Sequence, residues 1–249
     1  MKDISGTTAL VTGASRGLGR GIAVALSAAG ADVIAVARDG GRLAEPPTQL
    51  GGSITPVSAD ATDPVVAGQL IDAHRPGILV LNAGAVPLPR PLQQQTWQTF
   101  SRNWEVDVQH VFHWTREALL APLSSGSVVI AMSSGAALRG SPLSGGYAGA
   151  KATVRFIASY AADESARAAL GIRFIAVLPQ LTPATDLGAA AVAAYASRAG
   201  LDTAAYVQQF EPVVTAEHAG RSVLELATSD SPDPGAFLLT GRGLTPVTH

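Results

Sequence analysis

The segment Thr12-Gly13-Ala14-Ser15-Arg16-Gly17-Leu18-Gly19 follows a short apolar run, Ala9-Leu10-Val11, and opens a stretch of helical character in which Ile22, Val24, Ala25, Leu26 and Ala29 lead to Gly30. A buried strand therefore enters a glycine turn and leaves it as a helix. Glycines let a backbone come close to a pyrophosphate, and the helix start turns free N–H groups and a partial positive charge toward it. A glycine-rich turn alone also serves as an ordinary tight turn. Set between a buried strand and a helix, it points to dinucleotide binding on an open α/β sheet.

The alternation continues along the chain. Asp32 to Ala37 reads as a second buried strand, Ile54 to Ala59 as a third ending at Asp60, and Ile78 to Leu81 as a fourth closed by Asn82-Ala83-Gly84. Ser127 to Met132 is a fifth, delivering Ser133-Ser134. Ile172 to Leu178 is a sixth, running into Pro179-Gln180-Leu181-Thr182-Pro183, and Ala236 to Leu239 is a seventh. Between them the pattern predicts a helix over 42–50 broken by Pro46-Pro47, one capped by Asp60-Ala61-Thr62-Asp63-Pro64 and reaching about His74, and one long helix from Thr96 to about Leu120. Further helices are expected from Gly145 to about Arg167, over 186–199 and 201–210, and from Thr215 to Thr228. Strands alternating with helices give an α/β fold: a doubly wound, mainly parallel, seven-stranded sheet with helices on both faces. Residues 1–249 form one domain on this reading, and the alanine-rich insert at about 184–212 reads equally as a lid or as a surface helical pair.

Composition removes several function classes. A net charge of −2 with no basic run argues against nucleic acid and anionic membranes as partners. The absence of cysteine excludes disulfides, thiolate catalysis and Cys-ligated zinc. His110 and His113 have no metal-ligand company and read as structural. With no apolar stretch long enough for a signal or a span, a cytoplasmic protein is expected.

Of the 17 basic residues only Lys2 and Lys151 are lysine. The one internal lysine therefore stands where a compact ammonium is wanted rather than a planar guanidinium. Tyr147 precedes it by four residues, so on a helix both side chains share one face. A neighbouring ammonium stabilises a phenolate and makes a tyrosine usable as a general acid or base. At the end of the second strand an acidic residue would accept from a free ribose 2′-hydroxyl, but Ala37-Arg38 stands there. Arg38 with Arg16 would hold a 2′-phosphate, favouring NADP(H) over NAD(H). Asp39, one position later, is the rival ribose acceptor.

Taken together, Thr12 to Gly19, Asp60, Asn82-Ala83-Gly84, Ser134, Tyr147 and Lys151 stand in an order and spacing that resembles the single-domain short-chain dehydrogenase/reductase family over nearly the whole chain. The resemblance implies a Rossmann-like sheet and hydride transfer between a nicotinamide dinucleotide and a ketone or secondary alcohol. It gives Tyr147 the role of general acid/base, Ser134 that of holding the substrate oxygen, and Lys151 that of tuning Tyr147 and binding the nicotinamide ribose. By the same likeness Gly13, Ser15, Arg16, Gly17, Leu18, Gly19, Arg38, Asp60, Asn82, Gly84, Pro179 and Thr182 contact the cofactor, and the protein forms a homodimer or homotetramer. Asp107 stands where the family presents an asparagine, Gln180 where it has glycine, and Gly77 where it has aspartate. A carboxylate at 107 facing Lys151 would favour its ammonium and offset part of its effect on Tyr147. Asp107 and Gln180 also motivate a rival reading, a nucleotide-binding protein of this fold without redox activity, and a third reading is a non-redox dehydratase or isomerase on the same proton-transfer machinery.

Overall fold

The computed structural model describes residues 2–39, 53–229 and 235–247. The helix expected over 42–50 lies outside the described residues. The strands are β1 (Thr8–Thr12), β2 (Asp32–Ala37), β3 (Ile54–Ser58), β4 (Ile78–Leu81), β5 (Val128–Met132), β6 (Arg173–Pro179), β7 (Ala236–Thr240) and β8 (Gly243–Pro246). They form one sheet in the order β3-β2-β1-β4-β5-β6-β7-β8, parallel as far as β7, with β8 antiparallel to β7. The sheet thus has eight strands, not the seven expected. β8 carries no apolar run of its own and is placed by pairing, Leu239 opposite Leu244 and Thr240 opposite Gly243.

Helices α1 (Gly17–Ala28), α2 (Pro64–His74), α3 (Trp97–Asn103), α4 (Gln109–Leu120), α5 (Ala136–Arg139), α6 (Gly145–Arg167), α7 (Asp186–Ala199), α8 (Thr203–Gln208) and α9 (Ala216–Thr228) complete the fold. Strand neighbours in sequence point to opposite faces, and both faces are covered over β1, β2, β4, β5 and β6, so these strands read as apolar runs. Val11, Val33, Val80, Ile130 and Ile175 pack under α1 and α9 with Ile22, Leu26 and Val223. Leu10, Ile34, Leu79, Leu81 and Phe174 pack on the other face with Ile71, Trp114 and Val154 from α2, α4 and α6. Each such fully buried aliphatic side chain contributes roughly 1.5–3 kcal/mol. Among the described residues no helix is long and apolar enough to cross a membrane.

The single long helix expected from Thr96 is three segments. Thr96 caps α3 in a reciprocal capping box with Thr99, and a π-helical segment, Trp104–Val108, joins α3 to α4. A π turn advances the following residues relative to α geometry, and it places Asp107 on the buried side.

Candidate active site

The sheet order reverses between β1 and β4, so their C-terminal ends open the crevice where doubly wound folds bind ligands. β1 delivers the glycine turn there and β4 delivers Asn82-Ala83-Gly84. Thr12 joins the two: its Oγ1 accepts from the Asn82 N–H at 2.9 Å and the Ala83 N–H at 3.2 Å. The Asn82 amide donates to the carbonyls of Thr12 and Gly13, each at 3.1 Å, so its nitrogen holds the turn. Gly13 and Gly17 take φ of 66° and 55°, which favours glycine. A Cβ on Gly19 would collide with the Asn82 amide and the Gly13 carbonyl. The residue types of the turn are thus dictated by close approach.

This turn suits a phosphate group. Arg16 at the start of α1 makes no side-chain cap, as is also the case at the starts of α4, α5 and α6, so no side chain occupies the opening N–H groups of α1. Those opening N–H groups face the crevice with the positive end of the helix dipole behind them. Gly13, Ser15, Arg16, Gly17, Leu18 and Gly19 all line one cavity of about 1070 Å³.

Arg38, Asp60 and Thr62 line the same cavity. Asp60 Oδ1 accepts from the Thr62 N–H and hydroxyl, both at 2.9 Å. The Thr62 N–H lowers the Asp60 pKa against partial burial, with smaller help from the Thr62 hydroxyl and the Arg38 charge. Arg16 is placed otherwise than expected: its guanidinium is ion-paired with Asp186 at 2.9 Å, so it joins Arg38 on a phosphate only by leaving Asp186. Residues 170 apart in sequence make this bond, and no local pattern announces it.

The β5 end separates the two serines. Ser133 is buried, its hydroxyl donating to the Lys151 carbonyl at 2.7 Å, which ties β5 to α6. Ser134 lines the cavity with Tyr147 and Lys151, its Oγ accepting from the Ala136 N–H at 3.2 Å. Lys151 Nζ stands 5.8 Å from the centre of the Tyr147 ring, as the four-residue spacing requires.

Lys151 Nζ donates to the Met132 carbonyl at 2.9 Å and lies 3.2 Å from Asp107 Oδ2, off the line of an aligned hydrogen bond. The side chains are 8% and 1% exposed, so water screens this ion pair little. Asp107 Oδ1 accepts from the Ala85 N–H at 2.8 Å, and a Cβ on Gly84 would come within 3.1 Å of the carboxylate. Burial opposes the charge on Lys151, but Asp107 and then Tyr147 outweigh it and raise its pKa. Its ammonium keeps one of three N–H donors beyond these two contacts.

Gln180, Pro179 and Thr182 border the same cavity from the β6 side, and Gly135 N–H donates to the Pro179 carbonyl at 2.9 Å. Thr182 is buried and its hydroxyl donates to the Val214 carbonyl, so it holds the loop rather than offering that hydrogen outward. Residues of α7 and α8, among them Leu187, Tyr195 and Tyr206, border the cavity on its outer side. Tyr195 hydroxyl meets Ser141 Oγ, which also contacts Ser144 Oγ at 2.7 Å. No site role follows from the sequence for Ser141, Tyr195 or Asp186, whose partners the fold brings from afar.

A family model described as short chain dehydrogenase matches residues 7–196. The chain belongs to the short-chain dehydrogenase/reductase family. It is 36% identical over 110 residues to carbonyl reductase [NADPH] 2 of Sus scrofa, covering 44% of this chain and 45% of that protein. L-xylulose reductase of Homo sapiens is 36% identical over 108 residues, covering 43% and 44%. The matched stretch thus spans less than half the length of these curated relatives. Among solved structures, NAD+-bound xylitol dehydrogenase superposes with a TM-score of 0.77 at 20% identity, covering 92% of this chain and 95% of the other. A 3-ketoacyl-(acyl-carrier-protein) reductase from Brucella melitensis, complexed with NADH, does so at 0.73 with 23% identity, covering 91% and 92%. At these identities the superpositions establish the fold alone. Both curated relatives carry the name of a reductase.

Proposed function

We propose that the protein transfers a hydride between NADP(H) and a ketone or secondary alcohol, with Tyr147 as general acid/base. The observation that carries this reading is a single cavity bordered at one end by the uncapped start of α1 and at the other by Ser134, Tyr147 and Lys151. The nicotinamide, when bound, supplies or accepts the hydride. Tyr147 gives its proton to the carbonyl oxygen in reduction and takes the hydroxyl proton in oxidation. Ser134 donates to the same oxygen and fixes its position. Lys151 turns its remaining donor to the ribose and sets the field at Tyr147, while Asp107 holds the ammonium in place. Asn82, Gly84, Pro179 and Thr182 shape the walls, and α7 with α8 closes over the substrate as a lid on a single domain. Arg38 beside Asp60, with no acidic residue ending β2, supports the 2′-phosphate form of the cofactor, as does the name of the porcine relative.

The test is reduction of a carbonyl panel with NADPH and NADH. Turnover with NADPH is expected, and Tyr147→Phe should lower kcat by at least about a hundredfold with NADPH affinity retained. Full turnover by that variant would remove Tyr147 from its role. Arg38→Ala should raise KM for NADPH about tenfold and leave that for NADH nearly unchanged. Tight NADPH binding without turnover of any carbonyl would favour a non-redox protein instead.

A further inference from the structure

The charges bordering the cavity do not balance, and the excess sits at one end. Among the described residues the acidic ones that border it are Asp60, Asp107 and Asp186. Asp107 is matched by Lys151 and Asp186 by Arg16, while Asp60 lies in the field of Arg38. Two bordering cations remain, Arg102 and Arg139. Among the described residues neither has a carboxylate within ion-pair distance.

Both belong to the catalytic end rather than to the glycine turn. Arg139 is the last residue of α5, the short helix that begins two residues after Ser134. Arg102 lies on α3, whose Phe100 backbone presses on Gly146, the neighbour of Tyr147. Helices α3 and α5 both pack against α6, which carries Tyr147 and Lys151. The Lys151 charge is already offset by Asp107 at 3.2 Å, so beside the catalytic residues the two guanidinium groups are the uncompensated cations among the described residues.

We propose, building on the hydride-transfer reading, that the substrate is a ketone or secondary alcohol bearing an oxyanion, a carboxylate or a phosphate, held by Arg102 and Arg139. A guanidinium offers two parallel N–H donors that fit the two oxygens of such a group and fix its orientation. Held there, the anion directs the carbonyl toward Ser134 and Tyr147. The hydroxyls of Ser141, Ser144 and Tyr195 on the same wall suit additional polar oxygens. Both arginines stand at the exposed mouth, so each is expected to contribute about three- to tenfold rather than more.

The experiment compares matched pairs with the NADPH-loaded protein: acetoacetate against methyl acetoacetate, and dihydroxyacetone phosphate against dihydroxyacetone. At least one anion should exceed its neutral partner in kcat/KM by about tenfold, mainly through KM. The pair that shows it separates carboxylate from phosphate. In Arg102→Gln/Arg139→Gln this ratio should fall toward one. A ratio near one in the unaltered protein, or one unmoved by the double replacement, overturns the proposal. Calorimetric binding of the same anions keeps its fate separate from that of hydride transfer. Binding that depends on the two arginines, without turnover of any of the four compounds, sinks the redox reading and sustains this one; no arginine-dependent binding sinks this one.

Discussion

Asp107 is the residue whose chemistry changed most between sequence and structure. From the sequence its carboxylate had two available directions, and only the π segment decides that it faces Lys151. A periodicity argument assumes α geometry throughout and so could not see a local extra residue in the turn. Ser134 was preferred to Ser133 on its family-like separation from Tyr147, and in the structure the Ser133 hydroxyl is taken up by the Lys151 carbonyl while Ser134 borders the cavity. The negative charge at 107 opposes the field that Lys151 exerts on its surroundings. Asp107→Asn removes that charge while its side-chain oxygen still accepts from the Ala85 N–H. It also removes the largest influence that outweighs burial at Lys151, so the Lys151 pKa falls and the alkaline limb of the pH profile for alcohol oxidation is expected to move toward acid. A profile of kcat/KM between pH 6 and 10 decides it, and an unmoved limb would mean that Asp107 acts only in packing.

At the scale of elements, two helix contacts are built on glycine, and only one adjoins the site. A Cβ on Gly146 would stand 2.8 Å from the Phe100 carbonyl carbon, forcing α3 away from α6 beside Tyr147. A Cβ on Gly220 would stand 2.8 Å from Ala25 Cβ, forcing α9 away from α1 on the other face of the sheet. Both Gly→Ala changes should cost about 1–3 kcal/mol in denaturation experiments, since close-packed helices yield by backbone shifts. Gly146→Ala alone should also lower kcat. Equal kinetic losses in the two would show that activity follows general stability instead of the α3–α6 contact. The strands were legible almost to the residue, as in Asp32–Ala37 and Ile78–Leu81, because parallel strands buried on both faces are written as continuous apolar runs. β8 was not, because an edge strand ending in Pro246 owes its existence to the partner beside it.

The whole molecule is tied together at His110, which the sequence marked only as structural. It is fully buried at the start of α4, with Nε2 3.0 Å from Thr12 Oγ1. That oxygen accepts two N–H bonds, from Asn82 and Ala83, and has the Val80 carbonyl at 3.3 Å as a further neighbour for its proton, so His110 packs against a fully engaged hydroxyl. Burial first, and then the Lys151 charge, push the His110 pKa down to about 3, with a weaker backbone contribution from Ala83 opposing them. In the unfolded chain the same ring titrates near 6.5. The folded state thus binds fewer protons between these values. Stability contributed by neutral His110 is present above about pH 6.5 and is lost as pH falls toward 3, at up to about 1.4 kcal/mol per unit. Between pH 6.5 and 4.5, above the usual range of the carboxylates, its share comes to about 2–3 kcal/mol. Urea denaturation across that interval should show the fall, and His110→Gln, whose amide does not titrate, should flatten it. Equal slopes in the two proteins would place the acid sensitivity elsewhere and leave the joint between β1, β4 and α4 as a matter of packing alone.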